Sequence, residues 1–370
     1  NINSYHFLDY PMEAIMETMK PIYEEAVERA KKEDTPEKRR GVGLSWGGFN
    51  VTEGPDDQCT LAIEIAPGGK FIKYDTWQDQ GQGGDSGSLQ CTLEALKPLG
   101  VSIDDIILRQ NDSAYGVDSG ATASSRQHYM NTKTSKLAAD KLINAMTKPD
   151  GTYRTYEEMV AEGIPTRYEA SYENATDETL CYLDPNTGVG NPTPAYTYGL
   201  FLAEVEVDTA TGKTTILRYT SVDDVGVVGN PTSVDGQAYG GLSHCMGFAL
   251  SENYDDVEKH ANILGAGIPT IKDIPDDFNV IHLENLRSTN PYGSSGASEA
   301  FESSGHMAVI NAINNACGVR IYELPARPEK VKEGIEKLAR GEEILPPKKY
   351  FLGSDFEEEM ENIKNNPVEG

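Results

Sequence analysis

Between residues 59 and 77 the chain alternates apolar and polar positions on either side of Pro67-Gly68-Gly69 (CTLAIEIAPGGKFIKYDTW), which predicts a β-hairpin. The hairpin runs into a glycine loop, GQGGDSG, that opens a helix; a strand-like IDDIILRQ (103–110) and a helical stretch after SSRQHYM follow. The same order recurs downstream. YGLFLAEVEVDTATGKTTILRYTSVDDVG (198–226) is a second hairpin turning at TATGK, GQAYGGLSHCMGFALSE is a second Gly-Gln loop opening a helix, and FNVIHLENL (278–286) is a strand. The unit ends on NPYGSSGASEAFESSGHMAVINAI, a third small-residue loop with its helix.

Each unit reads ββαβα, so the pattern predicts an α+β fold built from two repeats, residues 41–185 and 186–327. Gln82 and Gln237 occupy matching places in the two, each just after a glycine where a helix begins. Residues 1–40 form an N-terminal helical arm, with an apolar stripe through Met12, Ile15, Met16, Met19 and Ile22 and with Pro21 as a kink or break. Residues 328–370 form a C-terminal helix and acidic tail.

Composition narrows the function classes. With 370 residues, 38% hydrophobic and 36 glycines, the chain suits an ordinary globular protein with a real core. A formal charge of −27, from 32 basic and 59 acidic residues, argues against wrapping nucleic acid or docking on anionic lipid. No apolar run reaches membrane-spanning length and no signal-peptide pattern is present. Five widely spaced cysteines without a C-x-x-C pair give neither a disulfide framework nor an iron–sulfur or zinc site, and fit a reducing, cytoplasmic setting. The chain opens on Asn1 rather than Met, which points to processing or to a piece of something longer.

The chemistry concentrates at helix starts. GQGGDSG offers free N–H groups and a helix dipole to an anion, but it is neither G-x-G-x-x-G nor a P-loop. GGDSGS imitates the surroundings of a protease serine, without the histidine and aspartate that such a nucleophile needs. GATASSRQHYM (120–130) adds a small-residue loop in which Arg126 is available as a phosphate partner. GSSGASE (293–299) places a lone carboxylate, Glu299, in a first helical turn, where an ordinary dipole-complementing role competes with catalysis. Trp46 and Phe49 sit in WGGF, where core packing competes with pocket lining. Taken together, converging helix N-termini suit a large, anionic, hydrogen-bond-rich cofactor.

On these residues the chain resembles the molybdenum-binding large subunit of the molybdenum hydroxylases, the family of xanthine dehydrogenase and bacterial aldehyde oxidoreductase. The segments that carry the match are GVGLSWGGF, DTWQDQGQGGD, SGATASSRQ, TYGLFLAEVEVDTATGK, VDGQAYGGLSH, IPDDFNVIHLENLR and YGSSGASEAFESSGHMAVINAINNACGVRIYELPARPEKV. They span nearly the whole chain in order, yet correspond only to the second half of that subunit. The resemblance makes Glu299 the active-site base beside the molybdenum. It makes Gln82, Gly83, the loop Ala123, Ser124, Ser125, Arg126 and Gln127, then Gln237, Gly296 and Ala297, holders of the pyranopterin and its dinucleotide tail. It assigns the molybdenum no direct protein ligand, because the pterin dithiolene holds the metal.

The cofactor expected for the bacterial branch is molybdopterin cytosine dinucleotide. The 2Fe-2S clusters, and any FAD, are expected on partner subunits, together with a chain carrying the first half of the large subunit. Trp46, Phe49 and Phe301 are candidate lining residues for a small-molecule substrate. That substrate is an aldehyde or an electron-poor heterocycle, with purine, xanthine or nicotinate as alternatives. A cofactor-less scaffold paralogue and a generic nucleotide-binding or hydrolytic module are the rival readings.

Overall fold

A computed structural model describes residues 9–110, 112–346 and 356–365; parts of the arm and of the acidic tail lie outside the described residues. The chain forms two four-stranded sheets. One contains β2 (Gln58–Ala66), β3 (Lys70–Asp75), β4 (Ile106–Gln110) and β5 (Arg167–Glu173) in the order β4-β3-β2-β5. The other contains β1 (Lys38–Asn50), β6 (Tyr196–Asp208), β7 (Thr214–Asp224) and β8 (Asp277–His282) in the order β1-β6-β7-β8. The helices are α1 (Met12–Glu33), α2 (Gly84–Leu96), α3 (Arg126–Met146), α4 (Tyr156–Ala161), α5 (Pro231–Leu250), α6 (Ser298–Glu302), α7 (Gly305–Cys317), α8 (Pro328–Ala339) and α9 (Phe356–Asn365).

Both hairpins form where the alternation places them. β2 and β3 pair antiparallel, with Ala66 opposite Lys70. The turn between them needs positive φ at both Gly68 and Gly69, which a side chain would resist. β6 and β7 pair antiparallel around a turn in which the Asp208 carboxylate accepts from the Thr211 N–H at 2.8 Å. In each sheet the chain leaves the hairpin, passes through a helix (α2 or α5) and returns as a strand parallel to the second hairpin strand. β4 thus pairs with β3, and β8 with β7.

Three features depart from the sequence reading. β1 starts at Lys38 in the expected arm and runs into the 41–185 segment, but it pairs along its whole length with β6, so it belongs to the other sheet. Its glycines explain why: α7 packs directly on the β1 backbone, and a Cβ on Gly43 would lie 2.2 Å from the Ala308 carbonyl oxygen. Pro21 neither ends nor divides α1, which is one helix of 22 residues. Ile15, Met19 and Ala26 are its buried positions, whereas Met16 points outward and is half exposed.

Three layers result. α1 covers one face of the β1-containing sheet, where Ile15 and Met19 meet Val42, Tyr198, Leu202 and Val222. α5 and α7 cover the other face, burying Phe201, Tyr219, Leu242, Val309 and Ile313. α2 and α3 pack on the second sheet through Leu96, Ala138, Ala139 and Leu142 against Leu61, Ile63 and Phe71. Among the described residues no helix is long and apolar enough to cross a membrane.

Candidate active site

One cavity of about 510 Å³ lies where the two sheet units meet. Four loops build its wall, and each opens a helix: Gln80–Gly83 before α2, Thr122–Ser125 before α3, Val227–Asn230 before α5 and Ser295–Ala297 before α6. The first N–H groups of a helix have no partner within it and sit at the positive end of its dipole. Such groups attract anionic and hydrogen-bond-accepting partners where they are left free, as at the start of α3, which has no side-chain cap.

Buried polar ties hold the loops in place. Under α2 and α3, Lys73 pairs with Asp75 at 3.3 Å and donates to Ser88 and Asn131, while Asp75 accepts from Ser88 and Asn131. Burial pushes the Asp75 carboxyl up, but Lys73 and its hydrogen bonds outweigh this and hold it below the ordinary value. In the other unit, Arg287 pairs with Asp224 at 2.7 Å, and residues 225–227 lie against 293–295 through Val227 N–H to Gly293 O and Ser295 N–H to Val225 O, both 2.9 Å. Asn230 caps α5 by accepting from the Ser233 N–H at 3.1 Å.

The units meet at named contacts. The Ser125 hydroxyl donates to Oε2 of Glu299 and accepts from the Glu299 N–H at 3.3 Å. A Cβ on Gly296 would lie 2.0 Å from the Ser125 carbonyl oxygen, so only glycine permits this approach. Ser124 and Ser125 both hold positive φ, 48° and 47°, a left-handed conformation that costs non-glycine residues ~1–3 kcal/mol each.

Most residues singled out from the sequence converge here: Gln82, Gly83, Ala123, Ser125, Arg126, Gln127, Gln237, Gly296, Ala297 and Glu299 all line the cavity. Ser124 does not line it, although it shapes the turn. Arg126 requires a correction. Its guanidinium is wholly buried, paired with Asp57 at 2.7 Å and donating to the carbonyls of Gln58, Ser119 and Ala121, so it is not available as a phosphate partner. The loop before α2 is also less open than expected, because the Asp79 carboxylate accepts from the N–H groups of Gly81, Gly83 and Asp85. Those bonds, the one from Gly81 foremost, hold Asp79 below its ordinary value. Gln237 sits seven residues into α5 rather than at its start, so the match with Gln82 is not positional.

The three candidate lining residues are corrected as well. Phe301 is fully buried in the core with Leu242 and Val309. Trp46 stacks on Tyr198 on the α1 side of β1, with ring centroids 6.0 Å apart. Phe49 lies half-buried near the end of β1, and none of the three lines the cavity.

Sequence reasoning missed the Val227–Asn230 loop, Trp77 and His128. The signal for the loop was present, since Asn followed by Pro is a strong helix start. His128 lies beside Trp77, at 6.1 Å between ring centroids, and its Nδ1 faces the Cys91 sulfur at 4.0 Å. Burial would push the thiol up and the imidazole down, but their mutual attraction prevails, leaving Cys91 below and His128 above its ordinary value.

The molybdopterin cofactor-binding domain matches residues 18–275 of the chain. The chain belongs to that family. It is 41% identical over 323 residues to an aldehyde oxidoreductase of Megalodesulfovibrio gigas, covering 87% of this chain and 35% of that protein, in its C-terminal part. A probable hypoxanthine oxidase of Escherichia coli is 28% identical over 81% of this chain and 32% of its own length. A solved aldehyde oxidoreductase from Desulfovibrio gigas superposes with a TM-score of 0.87 at 37% identity, over 90% of this chain and 36% of that one. The chain therefore spans about a third of the length of these relatives.

The cavity fits a pterin cofactor in volume and in donor set. Besides the helix ends, Gln127 donates through Nε2 to the carbonyls of Gly120 and Ala121, while its buried Oε1 has no partner among the described residues. A buried acceptor left in this state calls for an N–H donor from a ligand. Pterin rings carry such donors.

Proposed function

We propose that this chain is the cofactor-holding C-terminal part of the large subunit of a molybdenum hydroxylase, with Glu299 as its general base. The observation that carries this reading is Glu299 itself. Among the described residues it is the one carboxylate in the cavity wall, where four loops that open helices converge.

In this reading the helix ends and the Gln127 side chain bind and orient the cofactor, with Gln82 and Gln237 also in the cavity wall. When bound, the molybdenum centre supplies the two-electron redox chemistry and Lewis acidity that protein side chains lack. Glu299 stands ready to take a proton at Oε1, because Oε2 is held by Ser125. The arginine guanidinium nearest the cavity is spent on Asp57. Anionic parts of the cofactor therefore meet backbone N–H groups and dipoles rather than a cationic side chain.

The dinucleotide form carrying cytosine belongs to this proposal, as do the two ββαβα units as copies of one plan. So do an aldehyde substrate and a cytoplasmic setting. The aldehyde follows the closer relative, at 41% against 28% for the probable hypoxanthine oxidase, and a purine is the second reading. The first part of the large subunit, the 2Fe-2S clusters and any FAD would lie outside this chain. They would reside on partner chains or on the further length that the relatives possess.

Purification of the native complex through a tag on this chain, with metal analysis and identification of the co-purifying polypeptides, tests the proposal. Near-stoichiometric molybdenum and aldehyde-dependent reduction of an electron acceptor are expected. A complex free of molybdenum would contradict the proposal and favour the rival readings of a scaffold or a nucleotide-binding module.

A further inference from the structure

We infer that Ser125 is the positioning residue for Glu299, delivered by the strained loop of one unit to fix the carboxylate of the other. This rests on the reading of Glu299 as the base.

Two observations meet at this residue. Ser124 and Ser125 are the only non-glycine residues of positive φ among the described residues, and they are consecutive. Strain of this kind persists where surrounding structure enforces it, and it clusters at functional sites. Helix capping does not account for it, because the Ser125 side chain makes no cap to α3. What the twist achieves is reach. It carries the Ser125 hydroxyl to Glu299, 174 residues further along the chain, where it donates to Oε2 and accepts from the Glu299 N–H. Gly296, whose missing side chain admits the Ser125 carbonyl, completes the fit from the opposite side.

A hydroxyl is suited to this task because it both donates and accepts and its hydrogen rotates. It gives the Glu299 carboxylate a partner at Oε2 and the Glu299 N–H a partner at the same hydroxyl, while the residue lines the cavity. Once Glu299 carries a proton, the same hydroxyl can remain in place as an acceptor. An alanine can do neither.

The test uses Ser125→Ala and Ser125→Gly in the assembled, molybdenum-loaded enzyme, with molybdenum content, kcat and KM as readouts. Glycine is at ease at this φ, so the second variant removes the hydroxyl without the strain. Both variants are expected to keep their molybdenum and to lose about tenfold to a hundredfold in kcat per molybdenum, with little change in KM. Two results would overturn the inference: normal kcat per molybdenum in both variants, or a loss of turnover wholly accounted for by lost molybdenum. Glu299→Gln separates the two claims. Full turnover in that variant sinks the base itself, whereas a dead Glu299→Gln beside an unaffected Ser125→Ala sinks only the role of Ser125.

Discussion

Arg126 and Asp57, 69 residues apart in the chain, form a closed ion pair beneath the cavity wall, with Nη2 2.7 Å from Oδ1 and both side chains shut off from solvent. The pair also satisfies the carbonyls of Gln58, Ser119 and Ala121, so it fixes the turn that leads to Ser124 and Ser125. Arg126→Met should leave Asp57 charged and unpaired in the interior, at a cost of about 3–5 kcal/mol. Urea unfolding at neutral pH measures this. A loss of cofactor affinity with unchanged stability would instead return Arg126 to the role of a phosphate ligand.

Gly43 is where the β1 strand accepts α7. A methyl group there would lie 2.2 Å from both the Ala308 oxygen and the Ala312 nitrogen, neither of which can turn aside as a side-chain tip could. Gly43→Ala should destabilise the fold by about 2–3 kcal/mol through overpacking. Differential scanning calorimetry should show a fall in Tm, with a smaller fall for Gly48→Ala, where only ordinary contacts await the added carbon.

His282 bridges two carboxylates, with Nδ1 2.6 Å from Asp223 Oδ1 and Nε2 3.1 Å from Asp235 Oδ1. Only the doubly protonated ring donates to both. Burial would lower the imidazole value, but Asp223 and Asp235 raise it above the ordinary one. Asp223 is itself raised, by its burial. A histidine with a raised folded value contributes stability that is full below its ordinary value of about 6.5 and is lost as pH rises through the higher folded value. The difference in unfolding free energy between wild type and His282→Gln should therefore be about 1–2 kcal/mol near pH 6 and shrink toward pH 9. A difference that grows with pH would show that the ring is neutral in the folded protein.

What could be read from the sequence was local. Alternation and turn residues gave both hairpins, and small residues before apolar helices marked three of the four loops that line the cavity, Glu299 included. The rest depends on partners distant in the chain. The side chain of Arg126 looks exposed until Asp57 is brought beneath it, and β1 looks like part of the first unit until its bare glycines meet α7 beside β6. Trp46 and Phe301 carry the composition of a binding pocket but belong to the α1 face and the core, a distinction that strand register and helix packing decide. The α5 start is different in kind. Asn230-Pro231 marks it locally, with Asn230 as the cap and Pro231 in the first turn, six residues before the Gly-Gln pair.

The most direct measurement on the central claim is steady-state turnover of the assembled enzyme carrying Glu299→Gln, normalised to its molybdenum content. Glutamine keeps the shape and the contact with Ser125 but cannot take a proton. The expected result is molybdenum retained and turnover reduced by several orders of magnitude; near-normal turnover with full molybdenum would contradict the assignment of Glu299 as the base.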